Sequence, residues 1–211
     1  MKTLKHEELY RSADLMTKMA NLDIVMCGIG AIGSNLVENL VRQGFKKITA
    51  IDFDRIEEHN RHTQIWYARD VGQLKATMLK NRIFDIMNIP IEVVPKKLEE
   101  ANSKKILNTQ GVVIDGFDNV ASRKFVTEYC SIYKTNCLHI GLFKDYAEII
   151  WNERYRVPDD TKNIDVCEYP LARNIILLAV AVATEILITY LEKKEKQNCI
   201  ITLKDLKITR I

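Results

Sequence analysis

The sequence predicts a doubly wound α/β fold on a mostly parallel sheet, continued by antiparallel strands in the C-terminal third. Three observations carry this. Short apolar runs at 23–27, 48–52, 111–115 and 136–140 alternate with segments of helical spacing, the order of strands and crossover helices in a parallel sheet. A glycine-rich turn, Gly28-Ile29-Gly30-Ala31-Ile32-Gly33, joins the first run to the first crossover helix. From Asp145 the apolar residues alternate, at 146–157 and 199–208, on either side of one long apolar segment.

Taken in order, residues 6–20 read as a helix with Leu9, Ala13, Met16 and Ala20 on one face. The strand over 23–27 enters the glycine turn. The helix after it carries Leu36, Val37, Leu40 and Val41 at helical spacing, and Gly44 suits its C-cap. The strand over 48–52 ends in Asp52. Residues 53–68 hold Asp54, Glu57, Asn60, Arg61 and Gln64, and so polar a stretch after a strand end reads as a functional loop. A helix follows from about 71 to 87, then a short strand over 91–95 that Pro95 ends. Residues 103–109 read as a helix capped by Ser103 or Asn102. The run 111–115 is continuously apolar and ends in an acid, as a fully buried parallel strand does. Residues 119–133 give a helix and 136–140 a strand. The whole, 1–211, is expected to be one Rossmann-like domain: an N-terminal helix over 1–20, a nucleotide-binding core over 21–141, and a substrate face with long helix and C-terminal strand over 142–211.

Composition narrows the classes. With 47% apolar and 28% charged residues the chain buries a full core, and a net charge of +3 gives no reason to invoke nucleic acid or a membrane surface. The five cysteines form no C-x-x-C pair, which argues against a disulfide framework and a sulfur-rich zinc site. A reducing cytoplasm is the natural compartment. Residues 1–10 are polar, unlike a signal peptide. The long apolar run at 175–191 contains Glu185 and the small residues Ala179, Ala181 and Ala183, and reads as a buried core or interface helix rather than a membrane span.

The chemistry begins at the glycine turn. Gly28 permits the turn, Gly30 allows close backbone approach to a phosphate, and Gly33 lets helix and strand pack closely. The helix start offers unpaired N–H groups and a partial positive charge. Asp52 stands about 20 residues beyond Gly30, the spacing for a carboxylate on a ribose hydroxyl. This fingerprint leaves dinucleotide and ATP both open. The pair Asp52 and Asp54, with Asp118 past a later strand end, points to Mg²⁺, a hard ion that takes oxygen ligands, and so away from an NAD-dependent oxidoreductase. On spacing alone Asp118 is equally a turn or cap residue. Lys75 opens a helix against its dipole, which calls for an anion partner unless the side chain is merely solvated. Arg123 is either a phosphate ligand or an intrahelical partner of Thr127 and Glu128.

Four blocks then fall in one order: the glycine turn, Asp52-Phe53-Asp54-Arg55-Ile56-Glu57-Glu58-His59-Asn60-Arg61-His62-Thr63-Gln64, Asp70-Val71-Gly72-Gln73-Leu74-Lys75-Ala76, and Asp115-Gly116-Phe117-Asp118-Asn119-Val120-Ala121-Ser122-Arg123. Together they resemble the ThiF/MoeB-type superfamily of ubiquitin-activating enzymes and their bacterial relatives, over about residues 8–192. The resemblance implies ATP-dependent adenylation of the C-terminal carboxylate of a small ubiquitin-like or sulfur-carrier protein or peptide. It implies that Gly28, Gly30, Ala31, Ile32, Gly33, Asp54, Gln64 and Asn119 shape the nucleotide site, and that Asp52 holds the ribose. Asn60 and Lys75 would contact phosphates and Asp118 would hold Mg²⁺. It also implies a homodimer, with Arg11 the candidate to reach the neighbouring copy's ATP; the equal alternative is an exposed helix arginine. Cys167, just before the long helix, stands where sulfur-transfer relatives carry a reactive cysteine; the alternative is an inert loop cysteine.

The chain departs from the family pattern in three respects. Thr63 replaces the family arginine before Gln64, and Arg61 is the nearby guanidinium left to supply that charge. The two C-x-x-C zinc pairs of many relatives are missing, so no structural zinc is expected, and there is no large cysteine domain. The Thr63 substitution also fits a nucleotide-binding but inactive partner subunit.

Overall fold

The computed structural model describes residues 4–158 and 170–211. It is an α/β structure with one eight-stranded sheet. Two short helices, α1 (Lys5–Tyr10) and α2 (Ala13–Asn21), precede β1 (Asp23–Cys27). The single helix expected over 6–20 is broken because Ser12 takes an extended conformation and its hydroxyl accepts the Leu15 N–H at 3.1 Å, capping a new helix. Helix α3 (Ala31–Gln43) follows the glycine turn and stops at Gly44, which is left-handed at φ 111°. Next come β2 (Lys47–Ile51), 3₁₀ turns at Glu58–His62 and Ala68–Asp70, and α4 (Lys75–Met87). Helix α4 starts later than sequence suggests because residues 68–74 are used to fold the polar loop back: Arg55 bridges to Leu74, and the Gly72 N–H donates to the Ile56 carbonyl at 2.8 Å.

Strand β3 (Glu92–Val94) leads to α5 (Glu100–Leu107), which begins earlier than Asn102. Its cap is Glu99, and Asn102 answers from inside the helix by accepting the Glu99 N–H at 3.0 Å. Then follow β4 (Val112–Asp115), α6 (Val120–Tyr133) capped by Asn119, β5 (Asn136–Phe143) and β6 (Tyr146–Trp151). Helix α7 (Arg173–Lys193) precedes β7 (Cys199–Thr202) and β8 (Lys207–Arg210), so the one strand expected over 199–208 is a hairpin.

The sheet order is β3-β2-β1-β4-β5-β6-β7-β8; the pairings from β3 to β5 are parallel and those from β5 to β8 antiparallel. Alternate residues of β1 and β4 serve the two faces. Ile24, Met26, Val112 and Ile114 enter the larger core with α3, α4 and α7, while Val25, Cys27 and Val113 enter a smaller one with α5 and α6. Helix α7 is long and apolar enough to cross a membrane, yet in this structure it packs on α3 and β6 with Ile175, Ala179, Ala183 and Leu187 fully buried.

Candidate functional site

Strands β1 and β4 are neighbours whose chains leave the sheet in opposite directions: β1 feeds β2 and β3 on one side, β4 feeds β5 on the other. Ligands of such sheets bind in the crevice beyond the carboxyl ends at that switch point. A cleft of about 310 Å³ lies there, between the glycine turn and the turn after β4. A larger hollow, about 700 Å³, opens at the amino ends near Asp23, Lys47 and Gln110, away from every motif residue.

The first wall comes from the glycine turn and the segment after β2. Gly28 has φ +88°, a conformation strained for any residue with a Cβ. At Gly33 a Cβ would fall 1.9 Å from the Gly28 carbonyl oxygen, so helix and turn meet too closely for any side chain. At Gly30 a Cβ would meet nothing within 4 Å; it points into open cleft. The first helical amides of α3, at Ala31, Ile32 and Gly33, are left without intrahelical acceptors by helix geometry. Asp52 is buried, and its two carboxylate oxygens accept the N–H groups of Ile29 at 2.6 Å and Asp54 at 2.8 Å. Burial pushes its pKa up, against the pull of Lys75 and those two N–H donors. The anion partner expected for Lys75 is present: its Nζ stands 3.0 Å from an Asp54 carboxylate oxygen, and its N–H donates to the Asp54 carbonyl at 3.0 Å.

The second wall is the turn Gly116-Phe117-Asp118 and the start of α6. The Gly116 N–H donates to the Cys27 carbonyl at 2.9 Å, tying the turn to the residue before Gly28. Asp118 lines the cleft and is exposed, with its Oδ1 3.5 Å from the Asn119 carboxamide. It is not the helix cap; Asn119 is, accepting the Ser122 N–H at 2.9 Å. Lys96 and Lys97, past the end of β3, complete the lining. Sequence reasoning passed over them because they sit in no motif, and only the pairing of β3 beside β2 carries them to the cleft mouth.

Other candidates lie elsewhere. Asn60 and Gln64 are buried in the folded loop, outside the cleft lining. The Asn60 carboxamide oxygen accepts the Glu57 N–H, and the Gln64 oxygen accepts the Trp66 indole N–H. Asn35 of α3 bonds to the Thr63 carbonyl at 2.9 Å, holding this loop beside the helix start. Arg61 is exposed and paired with Glu58. Arg11 is engaged within its own chain, 2.6 Å from Glu185 and 2.7 Å from Glu7, with its side chain only 8% exposed. Arg123 lies outside the cleft lining, which corrects the phosphate-ligand reading. Its carbonyl accepts the Thr127 hydroxyl along the helix at 2.7 Å, but its guanidinium is buried, donating to the Ile140 carbonyl at 2.8 Å and standing 3.6 Å from Asp115. Cys167 lies outside the described residues. Cys27, Cys130, Cys137 and Cys199 are buried free thiols, and burial pushes Cys27 and Cys137 well above the ordinary thiol range.

Comparison with known proteins agrees with this architecture. Over 114 residues the chain is 29% identical to a sulfur carrier protein adenylyltransferase of Thermus thermophilus, covering 53% of this chain and 42% of that protein. Over 132 residues it is 30% identical to a tRNA threonylcarbamoyladenosine dehydratase of Haemophilus influenzae, covering 61% and 50%. The chain thus spans half or less of these relatives. Among solved structures, E. coli MccB with a MccA-derived peptide superposes at a TM-score of 0.83 with 18% identity, covering all of this chain and 72% of that one. MccB with ATP gives 0.77 with 20% identity, covering 93% and 65%. At these identities the structures establish the shared fold. The model of the ThiF family matches residues 7–199, nearly the whole sequence, and the chain belongs to the ThiF family.

Proposed function

We propose that this protein adenylates the C-terminal carboxylate of a small carrier protein or peptide with ATP. The observation that carries the reading is the convergence of Asp52, Lys75 and Asp118, remote in sequence, around one cleft with the glycine turn. The residues fit the nucleotide. Open space beside Gly30 admits a phosphate, α3 begins at the next residue with its first amides free of intrahelical acceptors, and buried Asp52 retains lone pairs for a ribose hydroxyl beyond its two backbone bonds. They fit Mg²⁺ as well, since that ion commonly takes one or two carboxylates and shares the phosphates, and Asp118 is an exposed carboxylate in the cleft. Bound there, Mg²⁺ would neutralise phosphate charge.

The chain's own groups do the remaining work. Lys75 is held by Asp54 at the phosphate side, a cation in place before any ligand arrives, so little reorganisation accompanies reaction. A substrate carboxylate oxygen attacks the α-phosphorus, the bond to the bridging oxygen breaks, and pyrophosphate departs to leave an acyl-adenylate. Arg61 is our candidate for the charge missing at Thr63; its exposed pair with Glu58 costs at most about 1 kcal/mol to release. Cys167 is our candidate acceptor of the acyl group. The relatives named for sulfur carriers and the MccB structures with MccA peptides support a small protein or peptide as substrate. A symmetric dimer would have to free Arg11 from Glu185 for it to reach a neighbour.

A second reading, a nucleotide-binding subunit without turnover, is favoured by Thr63 alone, which is buried with its hydroxyl near the Asn60 carbonyl and offers no cation. Pyrophosphate–ATP exchange separates the two. Carrier-dependent exchange supports adenylation, whereas ATP binding without exchange against sulfur-carrier proteins and short peptides supports the inactive subunit.

A further inference from the structure

Behind the Asp118 wall lies a buried charged cluster that the proposed chemistry leaves unused. Asp115, the last residue of β4, is fully buried and stands opposite His139 of β5 in the sheet register. One carboxylate oxygen accepts the Phe117 N–H at 3.1 Å. The other lies 2.9 Å from His139 Nδ1 and 3.6 Å from the Arg123 guanidinium. Arg123 is fixed in turn by the Ile140 carbonyl and by the Tyr155 hydroxyl at 3.1 Å, and the Tyr155 ring stacks on His139 with centroids 3.8 Å apart.

Such a cluster is a poor device for stability. Each buried ion costs several kcal/mol of desolvation, and well-packed apolar side chains would serve the core equally well. His139 is fully buried and among the described residues its Nε2 meets no hydrogen-bond partner, while its Nδ1 lies against Asp115. What the cluster does fix is direction. Asp115 grips the amide of Phe117, one residue before Asp118, while the Gly116 amide is held by Cys27, one residue before Gly28. The Gly116–Cys27 bond thus ties the turn to the first wall, and the Asp115–Phe117 bond orients the turn itself. We propose that His139 and Arg123 are positioning residues that act through Asp115 on the 116–118 turn and so aim the Asp118 carboxylate into the cleft. This rests on the metal role given to Asp118 above. Sequence reading gave no hint of it, because His139 and Tyr155 belong to no motif.

The test is the magnesium increment: the ratio of ATP affinity with Mg²⁺ to that with EDTA, measured by calorimetry on the full chain without any carrier. The wild type shows an increment that Asp118→Asn abolishes. His139→Leu removes the donor to Asp115 and reduces the increment tenfold or more, in the range of losses from groups that orient metal ligands. His139→Asn keeps an N–H near the Nδ1 position and restores the increment to within about threefold of wild type. Should His139→Leu fail to fold, Arg123→Lys is read in the same way, since lysine lacks the planar fork whose two nitrogens reach Asp115 and Tyr155 on one side and the Ile140 carbonyl on the other. An unchanged increment in a folded His139→Leu or Arg123→Lys protein overturns the proposal, as does a wild type whose ATP affinity ignores Mg²⁺. Pyrophosphate exchange is scored separately. A wild type that binds MgATP without exchange sinks the adenylation reading, while the increment still decides the positioning claim.

Discussion

The two walls of the cleft hold their charges in opposite ways. On the β2 side the charged groups satisfy one another: Asp52 takes two backbone amides and Lys75 takes Asp54, so the wall is complete before a ligand arrives. On the β4 side Asp118 is left exposed, and order resides one layer deeper, in Asp115, His139 and Arg123. Pre-paired groups orient a substrate at little cost on binding, whereas an open carboxylate keeps ligand positions for an ion that arrives with the nucleotide. The comparison separates groups already set in place for the nucleotide from the one carboxylate left open for its metal ion.

Substitutions break this division in different places. The largest effect is expected at Gly33→Ala, whose Cβ has no room against the Gly28 carbonyl. Thermal denaturation should show loss of the folded state, while Gly30→Ala should melt like wild type yet bind ATP at least tenfold more weakly. Next, Lys75→Ala and Asp118→Ala should each lower kcat for exchange by about 10² to 10³, the scale for losing one preorganised charge at a reacting centre. Asp118→Ala should leave metal-free ATP affinity unchanged and Lys75→Ala should weaken it.

Asp52→Asn sharpens the comparison through pH. Burial raises the folded pKa of Asp52 above its ordinary value near 3.8, so the fold favours the neutral acid. Its contribution to stability is therefore full below the unfolded pKa and lost as pH rises through the folded one. Stability of the wild type relative to Asp52→Asn should rise as pH falls from 7 toward 4, while ATP affinity of the wild type falls, because the ribose loses its carboxylate. The smallest effect belongs to Arg61→Ala: about a tenfold loss of exchange, with stability within roughly 0.5 kcal/mol of wild type, as for an exposed pair.

The fold was legible because its signals are local. Apolar runs, the glycine turn and the caps at Gly44 and Asn119 each lie within a few residues, and they mark the strands and helices that form. Misplaced boundaries arose where side chains override periodicity, at Ser12 and at the loop folded back over 68–74. At the cleft, spacing and helix dipole alone left Lys75 as readily solvated and Asp118 as readily a turn residue; the four motif blocks singled them out with Asp52, and the fold gathers the three around one cleft. The setting of Arg123 was not legible, since its partners Asp115 and Ile140 meet it only through the β4–β5 pairing. Lys96, His139 and Tyr155 escaped for the same reason: sheet order, not sequence distance, brings them to the cleft or behind it.

Pyrophosphate exchange into ATP, measured with wild-type protein and a panel of small sulfur-carrier proteins and short peptides bearing free C-termini, tests the central claim most directly. The account predicts exchange that requires Mg²⁺ and a carrier carboxylate and is lost on amidating that C-terminus. Tight MgATP binding with no exchange by any member of the panel would contradict it.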